Sequence, residues 1–564
     1  MSLYSNASNQ DAPSRVLSLS KTAGPPQSSA NMAEISESVS HLSKMHKLVA
    51  KYKLWLVASV WILITAYFIA GLVLNKQPQL SDRLLFICLY VFATIRFVFS
   101  LVSVRPVTRR VAKVWQWVQG NVDRVPERLR YPASGVVVVA IFLSASLGFP
   151  AERGESRLAR MQSFFGILVI TGLLYATSQH KRHINWRTVF VGYLLQLAVG
   201  CIVMKTRWGS DLFSWMARLT SGFLACSQAG TRLLFGQHIM DVGAVAATMF
   251  PAIIFFASFV QIMYYVGAVQ WVLDRVGLLF TKLMNTSRAE AVVAAASPFV
   301  GQSENVLLVK DFLEHMTRSE LHACMTAGFA TISGSVFQSY VALGVDAKSL
   351  ITACVMSVPC SLALSKIRYP ETEEPLTRDR ISVSKREKEA NVLHAMANGA
   401  ATGINLCLLI LATVISMVSL IYAADFALSW FGRFVGIAEL TLELMLGYVF
   451  YPLAWLLGVP GPDVLQVAQL LGLKLVGNEF IAYSKLTGAS GGVAVQDQLL
   501  PRSRMIAYFS LAGFANTGSV AQVIAAFGSL APSRKGDISR LAFSACLTGA
   551  VATMLTAAIV SMIA

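Results

Sequence analysis

The chain has 564 residues, of which 55% are hydrophobic and 14% charged, with a mean hydropathy of +0.58. A soluble globule of that size needs more charge to cover its surface, so the composition specifies a polytopic membrane protein. The formal net charge of +17 does not signal nucleic acid, because the basic residues gather in short loops between apolar runs.

Residues 1–45 are rich in Ser, Ala, Asn and Gln and poor in large apolar side chains, which predicts a disordered cytoplasmic tail. They lack the short apolar core of a cleaved secretory signal. Residues 46–183 read as additional N-terminal spans. The first, 54–75, is uncharged between Lys53 and Lys76 and matches the roughly 20 residues a bilayer core requires. The second, 84–104, carries Arg96, which must face protein or snorkel. The following loop holds Arg105, Arg109, Arg110, Lys113, Arg124, Arg128 and Arg130, so the positive-inside rule puts it and the N-terminus in the cytoplasm. Further spans are predicted at 134–150, 161–178 and 188–204, with a basic connector at 180–183.

Residues 184–282 read as scaffold. Within them 213–236 mixes apolar residues with Arg218, Ser221, Ser227, Gln228 and Arg232, the pattern of a helix lying in the membrane interface. The uncharged run 242–273 is longer than one crossing needs, and Pro251 is expected to divide it into an external piece and a tilted span. Residues 283–364 form a first transport repeat, with a hairpin at 287–315 whose limbs are too short to cross, then helices at 321–343 and 348–364. A charged linker, 365–398, precedes a second repeat at 399–564. That repeat has helices at 399–423 and 440–457, a hairpin at 464–486, a broken helix at 505–527 and a closing helix at 541–564. Whether 440–457 crosses or lies along the surface stays open. The eight cysteines fall mostly in apolar runs without a C-x-x-C pair and read as packing residues.

Two polar interruptions recur in the same order. The stretch 299–310, F-V-G-Q-S-E-N-V-L-L-V-K, sets an amide, a hydroxyl and a carboxylate in apolar sequence, and V-G-N-E-F repeats the device at 476–480. Each is followed by Arg-Ser, at 318–319 and 502–503, and by an A-G-F-A block, at 327–330 and 512–515. Duplicated interruptions in hydrophobic helices point to a secondary transporter with its site at mid-membrane. An odd number of crossings in each copy turns the second upside down. The predicted fold is therefore an all-α polytopic membrane protein with an inverted repeat, two re-entrant helical hairpins and two broken transmembrane helices on a scaffold. The breaks, at 331–335 and 516–519, are expected to face each other around a polar cavity, where unwound backbone is tolerated.

By residue type, Gln302 offers donor and acceptor to a base edge or amide, and Glu304 and Glu479 accept from hydroxyl groups. Asn516 and Ser519 add neutral contacts. No Arg cluster accompanies them, so a phosphorylated ligand lacks a partner and a neutral, hydroxyl-rich solute is expected. Gly-Ser pairs in membrane helices are commonly packing contacts, but two carboxylates at matching repeat positions are costly in a bilayer without a task. Arg96 and the Asp274-Arg275 pair read as structural or interfacial.

Gly301-Gln302-Ser303-Glu304, the N-E-F-I-A-Y run at 478–483, Gly513-Phe514-Ala515-Asn516 and the T-I-S-G-S-V run at 331–336 together resemble the concentrative nucleoside transporters. Asn185-Trp186-Arg187, Leu195-Gln196 and 209–236 extend the resemblance from 185 to the end, and the extra N-terminal spans look like the family's longer, eukaryotic form. The resemblance implies a homotrimeric plasma-membrane symporter that imports nucleosides with a cation by alternating access, without a cofactor, enzymatic activity or nucleic-acid partner. Carried over by motif, Gln302, Ser303 and Val336 surround the base with Glu304 near it. Glu479, Asn516 and Ser519 bind ribose hydroxyls, and Phe514 packs beside the sugar. Sodium-coupled members have an Asn five residues before the hairpin Gln, forming the ion site with residues matching Val300, Thr331 and Ile332. This chain has Ser297 there, which resembles the proton-coupled branch. The expectation is proton coupling, with Glu304 as carrier raised by burial and sodium at Ser297, Val300, Thr331 and Ile332 as the alternative. A channel would need a continuous polar path, and a membrane-embedded enzyme a nucleophile and base that the sequence does not supply.

Overall fold

Apolar runs that must satisfy every backbone group internally become helices, and in the computed structural model all regular structure among the described residues is helical. The described residues are 58–71, 127–148, 157–241, 245–377, 389–437, 440–489 and 492–564, with isolated helical positions at 87, 90, 91 and 94. The expected tail at 1–45, Arg96 and most of the basic loop after it lie outside them. The chain divides into two units, 1–121 and 122–564. In the first, helix Ala58–Gly71 places Trp61, whose Nε1 donates to Thr94 Oγ1 at 3.4 Å, and Phe68, which stacks on Tyr90 at 4.0 Å.

The second unit opens with helices Glu127–Gly148, Arg157–Ala176 and Trp186–Lys205, at the three spans expected there. Seven helices among the described residues are long and apolar enough to cross a membrane. The stretch expected at 213–236 is divided between helices Arg207–Ala225 and Ser227–Asp241; in the first, Gly209, Phe213, Ala217 and Leu224 are buried while Asp211 and Arg218 are exposed together with Trp208, Leu212 and Leu219. Pro251 does not divide the run after it. It lies inside helix Val245–Val266, in its second turn, where it removes the hydrogen bond to the carbonyl four residues earlier and crowds that carbonyl without ending the helix. The break falls at Gly267, whose φ of 84° cannot continue a right-handed helix, and Ala268–Met284 follows. Asp274 pairs with Arg288 at 3.1 Å and the Arg275 guanidinium lies 5.9 Å from the Trp271 ring, which gives both charges structural roles.

The first hairpin begins with a capping box, in which Ser287 Oγ accepts from the Glu290 N–H and Glu290 Oε2 accepts from the Ser287 N–H. Its first limb, Arg288–Ala296, spans about 14 Å, well short of a bilayer core. The return limb, Asn305–His315, winds as 3₁₀ helix, and a second capping box at Thr317 and Glu320 starts helix Arg318–Phe329. The chain unwinds through 330–333 and resumes as Gly334–Ala342. Helix Ala347–Arg368 then runs past the expected start of the charged linker. Lys366 is drawn inward because the acidic side chain of the first capping box receives it: it pairs with Glu290 and, at 3.4 Å, with Glu371, and donates to Ser319 Oγ at 2.8 Å.

The second half opens with Val392–Phe434, 43 residues where 25 were expected, since no proline interrupts it. Gly399 and Gly403 let it lie close along Val245–Val266: added Cβ atoms would stand 2.6 Å from Ser258 Cα and 2.7 Å from Ile254 Cα. Helix Leu442–Leu456 spans about 22 Å, is shorter than a crossing needs, and packs on the second hairpin. That hairpin is Val464–Val476 and Glu479–Thr487, and the second broken helix is Pro501–Leu511 and Thr517–Leu530. The closing helix Lys535–Ile563 packs against the first halves of both broken helices, with Gly549 held against Phe329.

Candidate ligand-binding site

The two breaks meet. The Phe514 N–H donates to the Thr331 carbonyl at 3.3 Å, joining the unwound segments across the molecule. Around this junction lies a cavity of about 300 Å³, at the small end of the roughly 300–1,000 Å³ typical of small-molecule sites. Gln302, Ser303, Glu304, Val336, Glu479, Phe514, Asn516 and Ser519 all line it. Residues widely separated in sequence are thus brought together as the repeat pattern implied.

The second hairpin and second broken helix use the same local device. Asn478 and Asn516 are both extended, with φ of −160° and −147°, and each caps the helix that follows it. Asn478 Oδ1 accepts from the Ile481 N–H at 2.9 Å, and Asn516 Oδ1 from the Ser519 N–H at 2.8 Å. The cap leaves Asn516 Nδ2 to donate to Glu479 Oε2 at 2.9 Å, while Tyr340 OH donates to Glu479 Oε1 at 3.0 Å. Glu479 is therefore a fixed acceptor at the cleft wall, 5% exposed, with lone pairs left for a ligand hydroxyl. Asn516 is committed chiefly to holding it, with one N–H still to offer.

Across the cleft Gln302 Nε2 donates to Gln522 Oε1 at 3.2 Å, and Gln302 Oε1 is buried without a protein partner. An orphaned amide oxygen beside a cavity is a position for a ligand donor. Glu304 is half-buried rather than buried as expected, and lines both the cleft and a second, smaller pocket beside Phe256 and Gln261. Among the described residues no Lys, Arg or His lines the cavity, so an anionic ligand meets two carboxylates and no basic side chain.

Ser297, Val300, Thr331 and Ile332 do not line the cleft. Each is almost wholly buried. Ser297 Oγ donates to the Val293 carbonyl at 2.9 Å and accepts from Asn305 Nδ2 at 2.9 Å. Asn305 is 1% exposed, and its Oδ1 has no protein partner. Sequence reasoning passed over Asn305, although an amide three residues after Gln302 was legible in the motif. It also missed Gln522, which follows Ser519 by three residues on one helix face, and the apolar wall of Leu406, Ile410 and Met417 supplied by Val392–Phe434. The apolar wall left no sequence signal.

Three family models match the chain: "Na+ dependent nucleoside transporter" N-terminus at 165–238 and C-terminus at 349–561, and "Nucleoside recognition" at 246–347. The chain is 35% identical to solute carrier family 28 member 3 of Rattus norvegicus over 542 residues, covering 93% of this chain and 74% of that protein. It is 36% identical to sodium/nucleoside cotransporter 1 of Oryctolagus cuniculus, over 76% of this chain and 66% of that protein. Among solved structures, CNTnw in an inward-facing substrate-bound state is similar at 33% identity and a TM-score of 0.67, over 72% of this chain and 98% of that one. A doubly substituted CNTnw in an outward-facing state is similar at 34% identity and a TM-score of 0.69, over 72% of this chain and 99% of that one.

Proposed function

This chain belongs to the concentrative nucleoside transporter family, a family of membrane transporters and not of enzymes, and on that premise we propose that it imports nucleosides by symport with a cation, sodium being the coupling ion. The observation that carries the reading is the cleft itself. An amide and hydroxyl from the first hairpin face a fixed carboxylate from the second, with no basic side chain between them. In this reading Gln302, Ser303 and Val336 contact the base, with Glu304 near it. Glu479, Ser519 and the remaining N–H of Asn516 hold the ribose hydroxyls, and Phe514 packs beside the sugar.

Sodium is preferred to the proton on two grounds. Relatives are named sodium/nucleoside cotransporters, and Glu304 lacks the burial that would fit it as a proton carrier. Ser297 supplies a hydroxyl where an amide was expected, but Asn305 meets it through Nδ2 and keeps its own Oδ1 unpartnered, so the side chains nearby still carry the neutral oxygens a sodium ion takes once that amide turns. Ser297, Val300, Thr331, Ile332 and Asn305 form the cation set in this reading. The two hairpins are re-entrant, the two repeats are inverted with respect to each other, the N-terminus is cytoplasmic, and the chain works as a homotrimer in the plasma membrane by alternating access.

The test is uptake of labelled uridine and adenosine into transport-deficient cells, with sodium or choline outside, at two pH values. Sodium-dependent uptake of both is expected, with uridine monophosphate excluded and 3′-deoxynucleosides poor substrates, because the site leaves its own groups unpaired when a hydroxyl is missing. Uptake that ignores sodium and follows the pH gradient overturns the coupling ion. Equal transport of uridine and its monophosphate overturns the substrate class.

A further inference from the structure

One fully buried charge has no part in the cleft as described. Lys474, in the first limb of the second hairpin, is 0% exposed and does not line the cavity. Its Nζ donates to the Ser510 carbonyl at 2.7 Å and to Thr553 Oγ1 at 2.9 Å, and both partners are neutral. Ser510 lies in the last turn of Pro501–Leu511, immediately before the unwound segment that carries Phe514 and Asn516. A cation at a helix C-terminus satisfies carbonyls that the helix leaves open and is favoured by the helix dipole. Thr553 belongs to the closing helix, so one ammonium ties the hairpin, the broken helix and the closing helix together at the break.

The same ammonium answers a second imbalance. Glu479 is buried and bonded to Tyr340 and Asn516, neither of which is cationic. The titratable groups around it are the hydroxyls of Tyr340 and Tyr483, the thiol of Cys354 behind them, the thiol of Cys546 behind Asn516, and Lys474, five residues before it across the Gly477-Asn478 break. Lys474 is the one cation in this set, buried like Glu479, and its partner Ser510 leads into the segment whose Asn516 bonds that carboxylate. Between buried groups such attraction is little screened and operates beyond contact distance.

We propose that Lys474 is the counter-charge of the cleft and a positioning residue for the second broken helix: it keeps Glu479 a carboxylate able to accept from ribose, and it fixes the unwound segment that holds Asn516 against that carboxylate. The inference rests on the nucleoside reading above, in which Glu479 is the ribose acceptor. The charge is placed where the substrate cannot reach it, so neutral solutes still meet an acceptor-only wall.

The experiment is equilibrium binding of uridine to the purified protein at saturating sodium, from about pH 6 to about pH 8.5, for wild type, Lys474→Met and Lys474→Arg. Wild type is expected to bind with nearly constant affinity. Lys474→Met is expected to lose about tenfold or more at the acid end and to recover most of it at the alkaline end, where Glu479 ionises without help. Lys474→Arg should stay flat with pH. A Lys474→Met defect equal at every pH, or none at all, overturns the counter-charge, since a purely structural cap predicts no pH dependence. Should neither variant fold, infrared difference spectra of wild type against Glu479→Gln at neutral pH decide the matter. Loss of an ionised carboxylate band supports the proposal, and loss of a protonated carboxyl band overturns it. Absence of uridine binding by wild type removes the nucleoside reading instead, and the infrared measurement still reports the charge state of Glu479.

Discussion

Replacing Glu479 by Gln isolates what its charge contributes to binding. The carboxylate accepts from Tyr340 OH at 3.0 Å and from Asn516 Nδ2 at 2.9 Å. A glutamine can satisfy both neighbours, because its oxygen can face the Asn516 donor while its NH₂ faces the tyrosine hydroxyl, which can turn and accept. The variant should therefore fold and reach the membrane in normal amount. It loses the anionic acceptor for ribose. A hydrogen bond to a charged group is worth roughly 1.5 to 3 kcal/mol, and each 1.4 kcal/mol is about a tenfold change in affinity. The apparent affinity for uridine should therefore fall roughly ten- to a hundredfold. The assay is concentration-dependent uridine uptake, normalised to surface protein measured by biotinylation. Wild-type affinity in Glu479→Gln at normal surface level would refute the ribose assignment, and loss of the protein from the surface would refute the claim that the amide is accommodated.

Asn305→Ala removes the orphaned amide oxygen beside Ser297. The sodium concentration for half-maximal uptake should rise about tenfold while uridine affinity at saturating sodium is unchanged, and an unaltered sodium curve would take Asn305 out of the cation set. Ser297→Asn should shift the same curve the other way, read in the same assay. Gly549→Ala places a Cβ 2.5 Å from Phe329 Cβ, overpacking a crossing that costs roughly 1 to 3 kcal/mol to force. Its thermal unfolding in detergent should come at a clearly lower temperature, whereas Gly172→Ala, which meets nothing within 4 Å, should leave unfolding unchanged. Breaking the buried pair with Glu290→Ala leaves Lys366 only the longer contact to the partly exposed Glu371 and should cost up to roughly 3 to 5 kcal/mol. Removing both charges with Glu290→Leu and Lys366→Met should recover much of that on the same unfolding curve.

The sequence alone determined the membrane class, the helical content, the two polar interruptions and those of their motif residues that line the cleft. The reasons are local. Apolar runs of bilayer length can only be helices, and a cap such as Asn478 or Asn516 is written into its own few residues. The duplicated blocks around Gln302 and Glu479 pointed to a shared site because each alone is an expensive interruption of a membrane helix. Where the outcome depended on partners distant in sequence, only the tertiary structure decided it. Pro251 stayed inside a helix because a lost hydrogen bond and a crowded carbonyl cost less than ending a packed span, and the break moved to Gly267, where the backbone is left-handed. Glu304 is half-buried, between the cleft and a smaller pocket formed with Phe256, Gln261 and Ser335, which are distant from it in sequence or lie on other elements. Lys366 left the expected linker for a buried pair with an acidic cap 76 residues earlier, and Lys474 was taken up by a carbonyl and a hydroxyl on two other helices. Periodicity records which residues want burial. It does not record which buried polar atoms will find each other, because that depends on how the helices cross.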